Sequence, residues 1–242
     1  MVQVQRAFRT LLGITPHEYL LACRRRHFIR DLRSGQSVTD ATFSAGFGSS
    51  SRMYSAVRLP GMRPSTYGQG GRGASIEWTT VASPVGRILV AATATGVCFV
   101  EIGGAEAVLL SALHNEFPRA TIAASRSPRL APYAAIARAI AVGDRAPGSV
   151  PVDIRGTAFQ WKVWRALTAI PGGRTRTYAE LAKAVGKPLA ARAVARACAT
   201  NPVSLVIPCH RVVGSDGTLR GYRWGVEVKR ALLAAERGGA QE

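Results

Sequence analysis

Between His17 and Arg33 the apolar positions Tyr19, Leu20, Cys23, Phe28 and Leu32 recur at roughly helical spacing beside a dense arginine face, which predicts a helix. Residues 3–12 read as the end of an earlier helix, stopped by Gly13, and Thr15-Pro16 opens the next. Gly35 terminates that helix, and Ser37 caps a short one holding Val38, Ala41 and Phe43. Ala45-Gly46-Phe47 makes a tight turn, and a further short helix runs from about Ser50 to Val57. Two short helices around a glycine turn form a helix-turn-helix pattern, which an ordinary helical hairpin shares. The second helix holds Arg52, Tyr54 and Ser55, side chains able to reach phosphates and base edges. Pro60-Gly61, Pro64 and the stretch from Gly68 to Gly73 predict a flexible linker and a boundary near residue 73.

The pattern then changes period. Ile76–Trp78 and Gly86–Thr93 read as strands, Thr95-Gly96 as a turn and Val97–Ile102 as the returning strand. Residues 105–117 and 129–142 have helical spacing, and Pro151–Arg155 reads as another strand. This is a small α/β unit whose simplest role is packing. The last segment is mainly helical. Thr157 caps a helix from Ala158 to Ile170, with Phe159, Val163, Leu167 and Ile170 on its apolar face. Thr177-Tyr178-Ala179-Glu180 is a capping box opening a helix to about Val185, and Pro188 opens another from Leu189 to about Ala199. That last helix is nearly bare, with alanine at 190, 191, 193, 195, 197 and 199 and Arg192 and Arg196 four apart on one face. Such a helix can press against a duplex, with an arginine entering as a wedge, or it can pack tightly on a core with its arginines solvated.

Charge sharpens this picture. The net charge of +18 is unevenly spread: +8 over residues 1–74, +1 over 75–155 and +9 over 156–242. Positive ends around a neutral middle suit a polyanion that touches two regions, although an arginine-rich composition alone also raises the total. No uninterrupted apolar run reaches transmembrane length and the start lacks a signal-peptide pattern, so a cytoplasmic, nucleoid-associated protein is expected. The four cysteines, Cys23, Cys98, Cys198 and Cys209, show no metal spacing, so neither a metal nor another cofactor is expected.

Cys209 stands apart. It follows the apolar run Leu205-Val206-Ile207 and precedes His210 and Arg211. A free thiol titrates at about 8.5 and needs a base or a positive charge to become a nucleophile at neutral pH. In an extended segment neighbouring side chains point apart, so His210 would reach the sulfur through a water or around a bend. A histidine base needs a third group to fix its tautomer, and Glu227 and Glu236 on a final helix, about Val226 to Arg237, are both available. By itself the Cys-His pair is compatible with an incidental neighbour, a cysteine hydrolase or an alkyl acceptor.

The run Ile207-Pro208-Cys209-His210-Arg211-Val212-Val213 resembles the active-site motif of the O6-alkylguanine-DNA alkyltransferases. The resemblance extends over Phe159–Glu236 and includes Thr177–Ala182, Ala191–Val194 and Asp216–Gly225. Residues 75–155 resemble that family's N-terminal subdomain less specifically, and residues 1–67 resemble part of the AraC-type helix-turn-helix segment of Ada-type members. No counterpart of the Ada-type Cys-rich zinc domain is present in these residues.

The resemblance implies a multi-domain α+β/α chain. Its parts are a partial AraC-type helix-turn-helix segment (1–67), a glycine-rich linker (68–74), a small ribonuclease H-like α/β subdomain (75–155), a mainly helical, winged-helix-like catalytic subdomain (156–238) and a tail (239–242). It implies a methylated-DNA–protein-cysteine methyltransferase that moves an alkyl group once from O6-alkylguanine, and from O4-alkylthymine, onto Cys209 after base flipping. His210 is then the base, Glu236 orients it, Asn201 braces the turn and Tyr178 sits by the target nucleotide. Arg192 replaces the flipped base, with Arg196, Arg52 and Tyr54 as further DNA contacts. Tyr222 points its hydroxyl at the guanine, and backbone groups of Cys209, Val212 and Arg223 read the base edge. Ser204 stands where some relatives have proline, which opens the pocket. The implied partner is double-stranded DNA, bound by a monomer with no membrane, and RNA polymerase if the chain also regulates transcription. A transcription regulator with little repair activity is the alternative.

Overall fold

The computed structural model describes residues 16–34, 36–49, 53, 69–144, 148, 150–154 and 156–239. The first of these form two helices, α1 (Pro16–Arg33) and α2 (Val38–Ser44). Ser37 caps α2 by accepting from the Asp40 N–H, as the sequence predicts. Gly46, at φ +79°, turns the chain so that Phe47 packs edge-on against Phe28 at 6.4 Å. Those two rings, with Ala41, Ala45 and Met53, form a small core of their own. The expected helices at 3–12 and 50–57, and with them Arg52 and Tyr54, lie outside the described residues.

The glycine stretch expected to be a flexible linker is not free over 69–74. It forms turns, and the Gly70 carbonyl accepts from the Arg119 N–H at 2.7 Å. The Ala74 carbonyl likewise accepts from Thr121, so the segment lies against the loop that leads into β4.

Four strands follow: β1 (Ser75–Ser83), β2 (Gly86–Ala92), β3 (Val97–Gly103) and β4 (Thr121–Ala124). They form one sheet in the order β3-β2-β1-β4, antiparallel except for the β1/β4 pair. Helices α3 (Glu106–Glu116) and α4 (Ala131–Val142) accompany it. β1 is longer than the sequence suggests, because its Thr-Thr-Val run pairs with β2 all the way to a tight hairpin. There Gly86 is at φ +109°, and a Cβ would stand 2.8 Å from the Gly103 carbonyl oxygen. β2 reads as a continuous apolar run because both faces are covered. Ile88 and Val90 enter the main core, while Leu89 and Ala91 pack with Phe99, Leu109 and Leu113. Over the described residues 151–154 the expected strand reduces to one parallel bridge, Val97 to Val152.

The C-terminal part contains α5 (Ala158–Thr168), β5 (Arg176–Thr177), α6 (Tyr178–Ala184), α7 (Ala191–Ala199), β6 (Val212–Val213) and α8 (Val226–Gly238). Both helix-opening threonines, Thr157 and Thr177, form complete capping boxes with Gln160 and Glu180. Trp164 is fully buried and donates its indole N–H to the Ala197 carbonyl at 2.9 Å, locking α5 to α7. The core is continuous between sheet and helices: Ile88, Val100 and Ile102 share one cluster with Val163, Val194 and Cys209. β3 also binds the segment after α7 directly, through a parallel bridge from Val100 to Val203. No described helix is long and apolar enough to cross a membrane.

Candidate alkyl-acceptor site

Cys209 sits at the start of a 3-10 turn, Cys209–Arg211, where the sequence suggests extended chain. The turn is built by what precedes it. Asn201, itself buried, donates from Nδ2 to the Ile207 carbonyl at 2.8 Å and accepts at Oδ1 from the Val203 N–H at 3.1 Å. These two bonds close a loop in which Leu205 adopts φ +70°, a left-handed conformation that costs a β- or γ-branched residue about 1–3 kcal/mol. Full burial of Leu205 in the core holds it there. Asn201 Nδ2 also lies 3.5 Å from the Cys209 sulfur, and the buried Ser204 hydroxyl lies 3.6 Å from it.

The bend separates the jobs of neighbouring residues. His210 is fully buried and its Nε2 lies 2.8 Å from Glu236 Oε1. A carboxylate can only accept, so Nε2 carries the proton and Nδ1 keeps its lone pair. Nδ1 has no hydrogen-bond partner among the described residues. Of the two candidate carboxylates, therefore, Glu236 and not Glu227 reaches the imidazole; Glu227 pairs with Arg230 on the surface. Arg211 donates from Nε and Nη2 to Glu236 and from Nη1 to the Ile170 carbonyl, and the Gly173 N–H adds a bond at 3.2 Å.

Electrostatics follow from burial and these partners. Burial pushes the Cys209 thiol up, against the hydrogen bonds from Asn201 and Ser204 and the positive charge of Lys229. Burial also lowers His210, against the pull of Glu236, so the imidazole is neutral at pH 7. Burial opposes the charge on Glu236, but the bonds from His210 and Arg211 outweigh it and hold its carboxyl at about 2. Lys229, absent from the sequence-based set, is buried behind the turn and donates to the carbonyls of Val212, at 2.6 Å, and Arg220, at 3.3 Å. A lysine on the apolar side of an amphipathic helix was the available signal.

Cys209 faces a cleft of about 1240 Å³. Tyr178, Arg192, Arg196, Asn201, Tyr222 and Arg223 line it too. Tyr178 opens α6, and burial lifts its phenol to about 12, so the hydroxyl keeps its proton. Arg192 and Arg196 are exposed on α7 and form no ion pair among the described residues. The other side of α7 is buried through Val194, Ala197 and Cys198. The Tyr222 hydroxyl is 2.8 Å from Ser204. Val212 is not brought to the cleft. It is fully buried in β6, its N–H bonded to the Cys209 carbonyl and its own carbonyl holding Lys229. The Arg223 side chain turns away to Glu101 on β3.

Residues 158–238 match the family "6-O-methylguanine DNA methyltransferase, DNA binding domain", and residues 2–70 match a helix-turn-helix domain family. The solved O6-methylguanine methyltransferase of Mycobacterium tuberculosis superposes with a TM-score of 0.56 at 33% identity, over 67% of this chain and 93% of that one. The chain belongs to the O6-methylguanine methyltransferase family. A structure of the same M. tuberculosis protein in complex with DNA aligns equally well, at 34% identity and a TM-score of 0.56 over 67% of this chain and 94% of that one. The Escherichia coli "bifunctional transcriptional activator/DNA repair enzyme Ada" is 41% identical over 237 residues, which cover 96% of this chain and 66% of Ada. This methyltransferase-family chain thus spans just under two thirds of Ada's length and is Ada-like in joining a helix-turn-helix match to a methyltransferase match.

Proposed function

We propose that the protein repairs DNA by moving the alkyl group of O6-alkylguanine onto Cys209, once per molecule. The observation that carries this reading is a buried thiol at the base of a cleft whose rim is a small-residue helix bearing two arginines that form no ion pair among the described residues. A hydrolase needs no such helix. The reactive O6 atom is hidden in a duplex, so the base must be flipped out, and Arg192 occupies the gap it leaves. His210 Nδ1 takes the thiol proton through one water while Glu236 balances the imidazolium. The thiolate attacks the alkyl carbon, the S–C bond forms as the C–O6 bond breaks, and the proton ends on the departing guanine. Tyr178 and Tyr222 donate hydroxyls toward the base and its nucleotide, and backbone groups of Cys209 and Arg223 read its edge. A thioether is stable in water, and no described residue beside Cys209 is set to hydrolyse it, so one transfer consumes the protein. O4-alkylthymine presents the same alkyl-oxygen bond and is a second substrate.

The finer architecture belongs to the same reading. A mixed sheet in the order β3-β2-β1-β4 supports a ribonuclease H-like subdomain over 75–155, and α5–α7 with the short β5/β6 pair supports a winged-helix-like unit over 156–238. The protein acts as a monomer in the nucleoid. A duplex with a radiolabelled methyl on O6 tests the reaction: label should enter the protein one to one, and Cys209→Ala should take none.

The helix-turn-helix match over 2–70 supports a second role, regulation of the response to alkylation through a contact with RNA polymerase. Random and candidate promoter duplexes, compared at physiological salt, decide it; equal affinity argues against a sequence-specific regulator.

A further inference from the structure

The loop from Gly214 to Gly225 carries Tyr222 into the cleft without containing a helix or a strand. Side chains must therefore place it. The Tyr222 ring meets the edge of Trp224 at 5.1 Å and 63°. Trp224 in turn donates its indole N–H to Glu101 at 2.5 Å, across 123 positions of chain. Arg223 forms an ion pair with the same carboxylate at 3.0 Å. Oε2 of Glu101 is thus ion-paired but accepts no hydrogen bond among the described residues. The guanidinium also lies over the rings of Trp224, at 5.3 Å, and Phe99, at 6.0 Å. Glu101 and Phe99 are alternate residues of β3 and so share one face of the sheet.

A carboxylate is an expensive choice there. Glu101 is 9% exposed in a strand whose other central residues are apolar, and an apolar side chain would fill the position without desolvating a charge. What an apolar residue cannot do is fix an indole N–H and a guanidinium at once. It would also leave Arg223 free to swing over the cleft as a further cation.

We infer that Glu101 is a positioning residue for the alkyl-acceptor site, contributed by the N-terminal sheet. Through Trp224 and Arg223 it sets the loop that presents Tyr222, so the cleft has its working shape before DNA enters. This rests on the alkyl-transfer reading above. Small misplacements of a group near a reacting centre cost about 10²-fold in rate, so losing the anchor is expected to slow transfer by about tenfold or more.

The test compares the full-length protein with Glu101→Leu and Glu101→Gln, each confirmed as folded by thermal melting. Single-turnover methyl transfer is measured at rising concentrations of an O6-methylguanine duplex, which separates the maximal rate from DNA affinity. Glu101→Leu should lower the maximal rate by about tenfold with DNA affinity unchanged or tighter, and Glu101→Gln, which still accepts from Trp224, should recover most of it. A folded Glu101→Leu protein with the wild-type rate, or one that loses affinity and rate in parallel, overturns the inference. The indole N–H resonance of Trp224, assigned through Trp224→Phe, gives a readout independent of activity. It should move upfield in Glu101→Leu and stay in Glu101→Gln; an unmoved resonance in Glu101→Leu refutes the anchor even if wild-type protein transfers nothing. Absence of transfer by the wild type, with the expected resonance shifts, instead defeats the repair reading and leaves the anchor standing.

Discussion

At the residue level, Cys209, His210 and Glu236 form a site that starts uncharged at the sulfur. Burial lifts the thiol above its ordinary value, so the thiolate must be made when substrate arrives rather than stored. Burial holds His210 below its ordinary 6.5, so it remains an available base under neutral conditions. The rate of transfer should therefore be level around neutrality, where the thiol is protonated and the imidazole neutral, and its acid limb should lie below 6.5. A rate-against-pH profile that keeps climbing above neutrality, or whose acid limb lies above 6.5, would contradict this assignment. Stability has a matching sign. The unfolded chain binds a proton at His210 more readily than the native one, so stability declines as pH falls through 6.5. Glu236 is depressed from 4.5 to about 2, so its contribution is present above 4.5 and lost as pH falls toward about 2. Thermal melting across pH should show both losses on the acid side.

At the level of elements, α7 joins the core to the cleft. Its buried side is fixed by Val194, Ala197 and Cys198, and its cleft side offers Arg192 on a face of small residues. Arg192→Ala should slow transfer from duplex DNA by about tenfold or more, because the vacated stack is no longer filled. Transfer from the free O6-methylguanine base, which needs no flipping, should be unchanged; equal losses on both would place Arg192 outside the flipping step. Much of this element was legible in the sequence. Helix starts were marked by local chemistry, at Ser37, Thr157 and Thr177, and their side chains make the capping bonds expected. The short strands were not legible. β4, with the sequence Thr-Ile-Ala-Ala, is mostly exposed and is held by its pairing with β1. β5 and β6 are two residues each and form because the turn at Cys209 brings Val212 beside Arg176. The 3-10 turn itself is set by Asn201 and by Leu205 in its left-handed conformation, which are tertiary facts. The site residues, Glu236 as the partner of His210 among them, were legible through their resemblance to a family; the hydroxyl bridge at Ser204 and the buried Lys229 needed coordinates.

For the whole molecule, charge is the organising feature. Residues 1–74 and 156–242 carry almost all of the net +18, and the sheet unit between them is nearly neutral. DNA affinity should fall steeply with salt. If about six to ten phosphates are contacted, about 10³- to 10⁵-fold is lost between about 50 and about 200 mM. A shallow dependence would mean that only one end touches DNA. The sheet unit is nevertheless not a passive spacer, since β3 bridges to Val203 and reaches Arg223 and Trp224 through Glu101.

The central claim is that Cys209 is consumed in taking an alkyl group from DNA. Intact-protein mass spectrometry after incubation with a duplex containing O6-methylguanine tests it most directly. A gain of one methyl group per chain is expected, located on Cys209 by peptide mapping and absent in Cys209→Ala. No gain in mass, or a gain that persists in Cys209→Ala, would contradict it.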